Sequence, residues 1–174
     1  MIEESTDHLV SVVVTTRNCA AALERCLRAL SLQSYPSIEV IVVDNHSTDG
    51  TQGVAEAAGV ALFTIGPERS AQRNFGIFEI SSGDIIGYLD ADMIAAPDFV
   101  LSVVNQILGK NEVLVPREII LGENRWQEIR NFERYLCRDT VIEPFRFASR
   151  AVWETVGRFD ETLTGPEDWD MALR

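Results

Sequence analysis

Short runs of aliphatic and β-branched residues alternate with amphipathic stretches through the first two thirds of the chain. Residues 9–15 read Leu-Val-Ser-Val-Val-Val-Thr, the pattern of a strand buried on both faces. Residues 38–43, 60–65 and 84–89 repeat it, and 112–116 gives a fifth, shorter run. Between these runs the apolar positions take helical spacing. Leu23, Cys26, Leu27 and Leu30 form one stripe in 20–32, and Ala71, Phe75 and Phe78 another in 68–80. A third, Val100, Val103, Val104 and Ile107, follows Pro97, which suits the first turn of a helix. Tyr35-Pro36-Ser37 marks a turn, and the polar loop 44–50 offers Ser47 or Thr48 as a cap for the next helix. Strict alternation of strand and helix predicts an α/β fold with a mostly parallel central sheet and helices on both faces.

After Pro116 the pattern changes. Residues 124–138 mix charged and aromatic positions and predict a helix, 141–149 an extended segment, and 167–174 the first two turns of a helix. The sequence stops there, so a version of the fold truncated at its C-terminal end is expected. The predicted organisation is a flexible N-terminus over 1–8 and a single domain over 9–174. A length of 174 residues allows a real core, and 46% apolar residues exclude wholesale disorder.

A formal net charge of −12 excludes nucleic acid as a partner. An anionic nucleotide would then need a local cation or a few arginines. Cys19, Cys26 and Cys137 match neither a zinc site nor a disulfide framework, which predicts reduced thiols in a cytoplasmic protein. No apolar run approaches the ~18 residues of a membrane span, and the polar, acidic start is unlike a signal peptide.

The polar clusters at 15–18, 44–49 and 90–92 all fall at strand ends, where open α/β sheets bind ligands. In extended chain, Asp90 and Asp92 point to the same side, roughly 6.5–7 Å apart, and a hard divalent cation bridging to phosphate would relieve their repulsion. Helix capping by Asp92 or Asp98 is the competing role. Arg69 and Arg73, four apart on the predicted helix, suit either a diphosphate or a solvated face. Asp44 and Asn45 suit either the imide of a pyrimidine base or an Asx turn with a cap. Glu167 and Asp168 open the last helix, where a carboxylate serves as a cap or, ionised, as a general base toward a hydroxyl. His8 and His46 are expected to be solvated rather than metal ligands.

In order and spacing these pieces resemble the family-2 glycosyltransferases of the GT-A, Rossmann-like fold. The resemblance rests on Val14-Thr15-Thr16-Arg17-Asn18, Val43-Asp44-Asn45-His46-Ser47-Thr48-Asp49-Gly50-Thr51 and Ala71-Gln72-Arg73-Asn74-Phe75-Gly76. It continues through Tyr88-Leu89-Asp90-Ala91-Asp92, Gly157-Arg158-Phe159-Asp160-Glu161 and Glu167-Asp168-Trp169-Asp170. It implies inverting transfer of a sugar from a UDP-, dTDP- or GDP-sugar to a hydroxyl acceptor, with Mn²⁺ or Mg²⁺ as cofactor. It further implies that residues 9–116 bind the donor and 117–174 begin the acceptor side.

By matching motif, Thr15, Asp44 and Asn45 line the nucleobase pocket, Arg17 is a further nucleotide-sugar-binding residue, Arg69 and Arg73 face the nucleotide, and Asp90-Ala91-Asp92 lies against the ribose and diphosphate. Asp92, with Asp90, holds the metal. Asp168 is the base, and Glu167 helps place the acceptor. Peripheral association with the inner face of the cell membrane and homodimerisation are compatible with the resemblance. Many relatives carry an aspartate where Asn45 stands, and they continue past the Glu-Asp motif. The alternative is therefore a non-catalytic or incomplete nucleotide-sugar-binding module. No G-x-G-x-x-G follows the first strand and no G-x-x-x-x-G-K-[ST] occurs, which argues against dinucleotide and P-loop enzymes.

Overall fold

The structure, a computed structural model, describes residues 8–108, 113–121, 125–136 and 145–174. Residues 1–7 of the expected flexible N-terminus, Cys137, and the start of the extended segment expected over 141–149 lie outside them. Six strands form one sheet in the order β3-β2-β1-β4-β6-β5. Strands β1 (Val10–Thr16), β2 (Ile38–Asp44), β3 (Ala61–Thr64) and β4 (Ile85–Asp90) are parallel. Strand β6 (Phe147–Ser149) runs antiparallel between β4 and β5 (Val113–Leu114). The mostly parallel α/β sheet is as the alternation predicts.

Strand β1 is buried along its whole length because helices cover both sheet faces. On one face Val10, Val12 and Val14 pack under α1 (Ala20–Ser31), α2 (Thr51–Ala57) and α4 (Phe99–Leu108). The predicted stripes Leu23, Cys26, Leu27, Leu30 and Val100, Val103, Val104, Ile107 are the buried faces of α1 and α4. On the other face Val13, Ile41, Val43, Ile86 and Tyr88 pack against Ile77, Trp153 of α6 (Arg150–Val156) and Met171 of α7 (Glu167–Leu173). Each such fully buried apolar side chain contributes about 1.5–3 kcal/mol.

Three local expectations are corrected. The N-cap of α2 is Gly50, not Ser47 or Thr48, and no side chain caps the helix; Asp49, just before it, accepts at Oδ1 from the Thr51 amide at 2.9 Å and at Oδ2 from Ala20 N at 3.3 Å. Pro97 lies in the turn before α4, and the helix's first turn is capped from afar by Gln33, whose Oε1 accepts from Val100 N at 2.9 Å. Residues 68–80 form α3 (Arg69–Asn74) running into a π-helical turn, Phe75–Ile80. Ser70, Gln72, Arg73, Asn74, Gly76 and Ile77 are its fully buried residues, while the Ala71, Phe75, Phe78 stripe is half-buried, with Phe75 and Phe78 packed against the core. The helix lies across the strand exits, where the backbone of the sheet offers polar partners. Gln72 Nε2 donates to the carbonyls of Val43 (2.6 Å) and Thr16 (3.1 Å).

Gly87 sits opposite Phe147 in the β4–β6 pair, and an added Cβ would lie 2.1 Å from the Phe147 ring. Gly87→Ala is therefore expected to cost roughly 1–3 kcal/mol by overpacking. A lower urea midpoint at unchanged slope would register it, and an unchanged midpoint would refute it.

Candidate active site

The parallel register places the three polar strand exits side by side: Thr15 pairs with Asp90 and Thr16 with Asp44. The Ala91 amide donates to Thr15 O at 3.2 Å, and Asn45 N to Thr16 O at 2.9 Å, so each loop leaves the sheet from a fixed point. Ala91 is itself buried, and Asp92 after it is exposed.

Arg73 is the centre of the site and is fully buried. Its Nη1 donates to Asp168 Oδ1 at 2.7 Å and lies 3.9 Å from Glu167 Oε1. Nη2 lies 3.5 Å from Asp90 Oδ1, and the guanidinium stacks 4.3 Å from the Tyr88 ring centroid. Such a cation needs several carboxylates to offset its desolvation. Arg73 therefore departs from the solvated-face expectation. Its guanidinium lies beneath the surface, against Asp90 and Asp168. Arg69, one turn earlier, is exposed, as is Arg17 at the β1 exit.

Asp90 also meets a cation that sequence reading missed. Arg146 Nη2 lies 3.5 Å from Asp90 Oδ2, while its Nε donates to Glu118 Oε1 at 2.5 Å. Burial pushes the Asp90 carboxyl up, but Arg146, then Arg73 and Arg69, outweigh it and hold the carboxyl below its ordinary value. The only signal for Arg146 in the sequence is a lone arginine in a short extended run.

Asp168 and Glu167 open α7 but differ in setting. Glu167 is buried and its Oε2 accepts from Gly165 N at 2.6 Å. Asp168 keeps about a fifth of its side chain exposed, and its Oδ1 takes both Arg73 and the Tyr88 hydroxyl, the latter at 3.0 Å. Burial pushes the Tyr88 phenol well above its ordinary value, so it stays a hydrogen-bond donor. Tyr88 was legible only as a core residue of β4.

On the β2 side, Asp44 is fully buried. Its Oδ2 accepts from Ser47 N (2.8 Å) and Gln52 Nε2 (2.8 Å), and its Oδ1 from the Ser47 hydroxyl. The Asx-turn reading of Asp44 thus describes its contacts, and the carboxylate is engaged within its own loop. Asn45 donates from Nδ2 to Pro67 O. Thr15 Oγ1 donates to Asp90 Oδ1 at 3.4 Å. His46 is exposed, whereas His8 lies 3.5 Å from Asp84 rather than free in solvent. Cys19 and Cys26 are free thiols, and burial pushes Cys26 up to about 12, with Asp92 and Asp90 adding to the shift.

Among the described residues no three His, Cys, Asp or Glu side chains cluster as a complete metal cage. The donor set still suits Mg²⁺ or Mn²⁺, which take one or two carboxylates and complete their shell with substrate phosphates and water. The exposed Asp92 fits that role better than Asp90, which two guanidinium groups already engage. A groove of about 690 Å³ between α1 and α2 lies away from the strand exits, and Glu24 is the one acid in its lining.

Residues 11–161 match the family model described as glycosyl transferase family 2. The chain belongs to this family. Among relatives of known name, glycosyltransferase AglE of Haloferax volcanii is 38% identical over 120 residues, covering 64% of this chain and 39% of AglE. The fold of this family-2 chain is shared with residues 1–349 of Staphylococcus aureus TarS (TM-score 0.76, 19% identity, 95% of this chain and 54% of that one). It is also shared with the mannosyltransferase PcManGT of Pyrobaculum calidifontis, solved in complex with GDP-Man and Mn²⁺ (TM-score 0.71, 23% identity, 94% and 50%). The family-2 chain thus spans between about two fifths and just over half of these relatives' lengths.

Proposed function

We propose that this chain transfers a sugar, with inversion at the anomeric carbon, from a nucleotide-diphospho-sugar to a hydroxyl acceptor, with Asp168 as general base. The observation that carries the reading is the placement of Asp168. It is a partly exposed carboxylate fixed at one oxygen by Arg73 and Tyr88, at the same sheet edge as Asp90. Its second oxygen is the one left to take the acceptor proton. As the acceptor oxygen bonds to the anomeric carbon, that proton passes to Asp168. The bond from the anomeric carbon to the diphosphate oxygen breaks with its electron pair on the leaving nucleoside diphosphate. Fixing the base before the substrate arrives lowers the cost of aligning it.

Residues 9–116 would bind the donor, with Thr15, Arg17 and the Asp44–Asn45 loop beside the nucleobase and Arg69 toward the phosphates. Residues 117–174 would begin the acceptor side. Arg73 acts from below by holding Asp90 and Asp168 in place. Asp92, with Asp90 beside it, would hold Mn²⁺ or Mg²⁺. When bound, such a cation supplies charge neutralisation to the departing diphosphate. The complexes of PcManGT with GDP-Man and Mn²⁺ and of TarS with UDP-GlcNAc support this class of donor and cofactor.

Calorimetric titration with UDP, dTDP and GDP, with and without Mn²⁺, tests the reading. One of them is expected to bind more tightly with the ion. Asp92→Ala is expected to remove that increment and leave the metal-independent affinity unchanged. Equal metal enhancement in wild type and variant would discard the Asp92 assignment.

A further inference from the structure

The Asn45 side chain is buried, and both ends of its amide are turned to one loop. Nδ2 donates to Pro67 O. Oδ1 packs against Gly66, so closely that an added Cβ there would lie 2.3 Å from it and 3.1 Å from His46 Cδ2. A carbonyl oxygen can only accept, so Pro67 O fixes the amide with its nitrogen on that side. The backbone of Asn45 is held in turn, its N–H donating to Thr16 O at 2.9 Å. An amide placed in this way carries the loop, and the imide of a pyrimidine base would have to compete for it.

Residues 66–68 connect the sheet to α3. On the sheet side, Ile65 N donates to Asp44 O at 2.9 Å, and on the helix side Glu68 O accepts from Gln72 N at 3.2 Å. Between these points Asn45 ties the loop to the β2 exit. Arg69, the first residue of α3, follows Pro67 by two positions. It is exposed, on the side of the helix that one turn later carries Arg73 to within 3.5 Å of Asp90. Deeper in α3, Gln72 is bonded to Val43 O and Thr16 O, so a loosened loop would release the first turn and Arg69 rather than Arg73. An ionised aspartate at position 45 could not replace the amide. It has no N–H for Pro67 O and would set oxygen against oxygen. Glycine at 66 fits the same account, since a side chain there would push the amide away.

We propose that Asn45 is a positioning residue for the donor diphosphate: by holding the Gly66–Pro67 loop it sets where Arg69 meets the phosphates, and it does not read the base. The inference rests on the donor-binding role proposed for residues 9–116 and assigns Asn45 a different task within it.

Calorimetric titration of the full chain with UDP, dTDP and GDP in the presence of Mn²⁺, continued with whichever binds the wild type, tests this. Arg69→Ala is expected to weaken binding at least ~10-fold, as loss of a hydrogen bond to a charged group does. Asn45→Ala is expected to weaken it comparably, and Asn45→Asp no less than the alanine. In the Arg69→Ala background, Asn45→Ala is expected to change affinity by less than about twofold, because the group it positions is gone. Gly66→Ala alters no polar group and is expected to reproduce the loss, which keeps the test available if a variant at 45 loses its fold by circular dichroism. Asn45→Asp binding as tightly as wild type while Asn45→Ala is weakened overturns the proposal, because an acceptor oxygen at 45 then reads the base. So does an Arg69→Ala or a Gly66→Ala that binds like wild type, or a loss at position 45 that persists in full without Arg69. A wild type that binds none of the three nucleotides removes the donor-binding role itself, and this proposal with it.

Discussion

Asp168→Asn is expected to lower sugar transfer by about 10²–10⁴-fold, the range for loss of a positioned general base, while nucleotide binding stays within about twofold, a difference under ~0.5 kcal/mol. The amide can still accept from Arg73 and from the Tyr88 hydroxyl, so the geometry around Oδ1 survives. What disappears is the capacity to take up a proton at neutral pH. The same argument separates Asp168 from its neighbour. Glu167 is buried and bound to the Gly165 amide, so its carboxylate is a structural anchor for the turn entering α7. The measurement is release of nucleoside diphosphate from the sugar nucleotide that calorimetry selects, which counts transfer to any hydroxyl, water included. Turnover at the wild-type rate in Asp168→Asn would remove the base from the mechanism. Binding without turnover in the wild type would instead favour a nucleotide-sugar-binding module.

The parts of this site that can be read in sequence are those announced by a change of pattern. Asp44, Asp90 and Asp92 stand where an aliphatic run breaks into polar residues, and a parallel sheet brings such breaks to one edge. The stripes of α1 and α4 are legible because their cores are aliphatic and their spacing is regular. Arg73 is not legible in this way. Hydrophobic periodicity assumes that a helix buries apolar side chains, whereas α3 buries Gln72, Arg73 and Asn74. Their partners come from distant segments: Asn74 bonds Phe159 and Glu161, and Arg73 bonds Asp168. Gln33 capping α4 and Arg146 reaching Asp90 fail to show for the same reason. For α5 (Arg125–Leu136) the mix of charged and aromatic positions predicts the helix, but it cannot say which side faces the protein. That choice rests on side-chain bonds to residues 118–121.

Arg73→Ala is expected to produce the largest loss of stability in the molecule. The substitution leaves Asp90, Glu167 and Asp168 close together in a partly dry site, with Arg146 the remaining guanidinium in contact with Asp90. It also strips the cation from the face of Tyr88. Removing one partner of a buried ion pair costs about 3–5 kcal/mol. In a domain of this size each kcal/mol moves the melting midpoint by roughly 2–4 °C, so a fall of about 6–20 °C is expected by circular dichroism. Arg73→Lys should recover only part of it, because an ammonium lacks the planar fork that serves two carboxylates while stacking on a ring.

The deficit should also depend on pH. In the wild type the folded Asp90 carboxyl titrates below its unfolded value, near ~3.9. It therefore adds stability that is present above that pH and is lost as pH falls through the folded value. Arg73 is one of the causes of the shift, so wild type and Arg73→Ala should differ most near neutrality and converge in acid. A variant melting within about 2 °C of wild type at neutral pH, less than 1 kcal/mol, would mean that the three carboxylates do not rely on this cation. Asp168 would then lose the support on which its assignment as base depends.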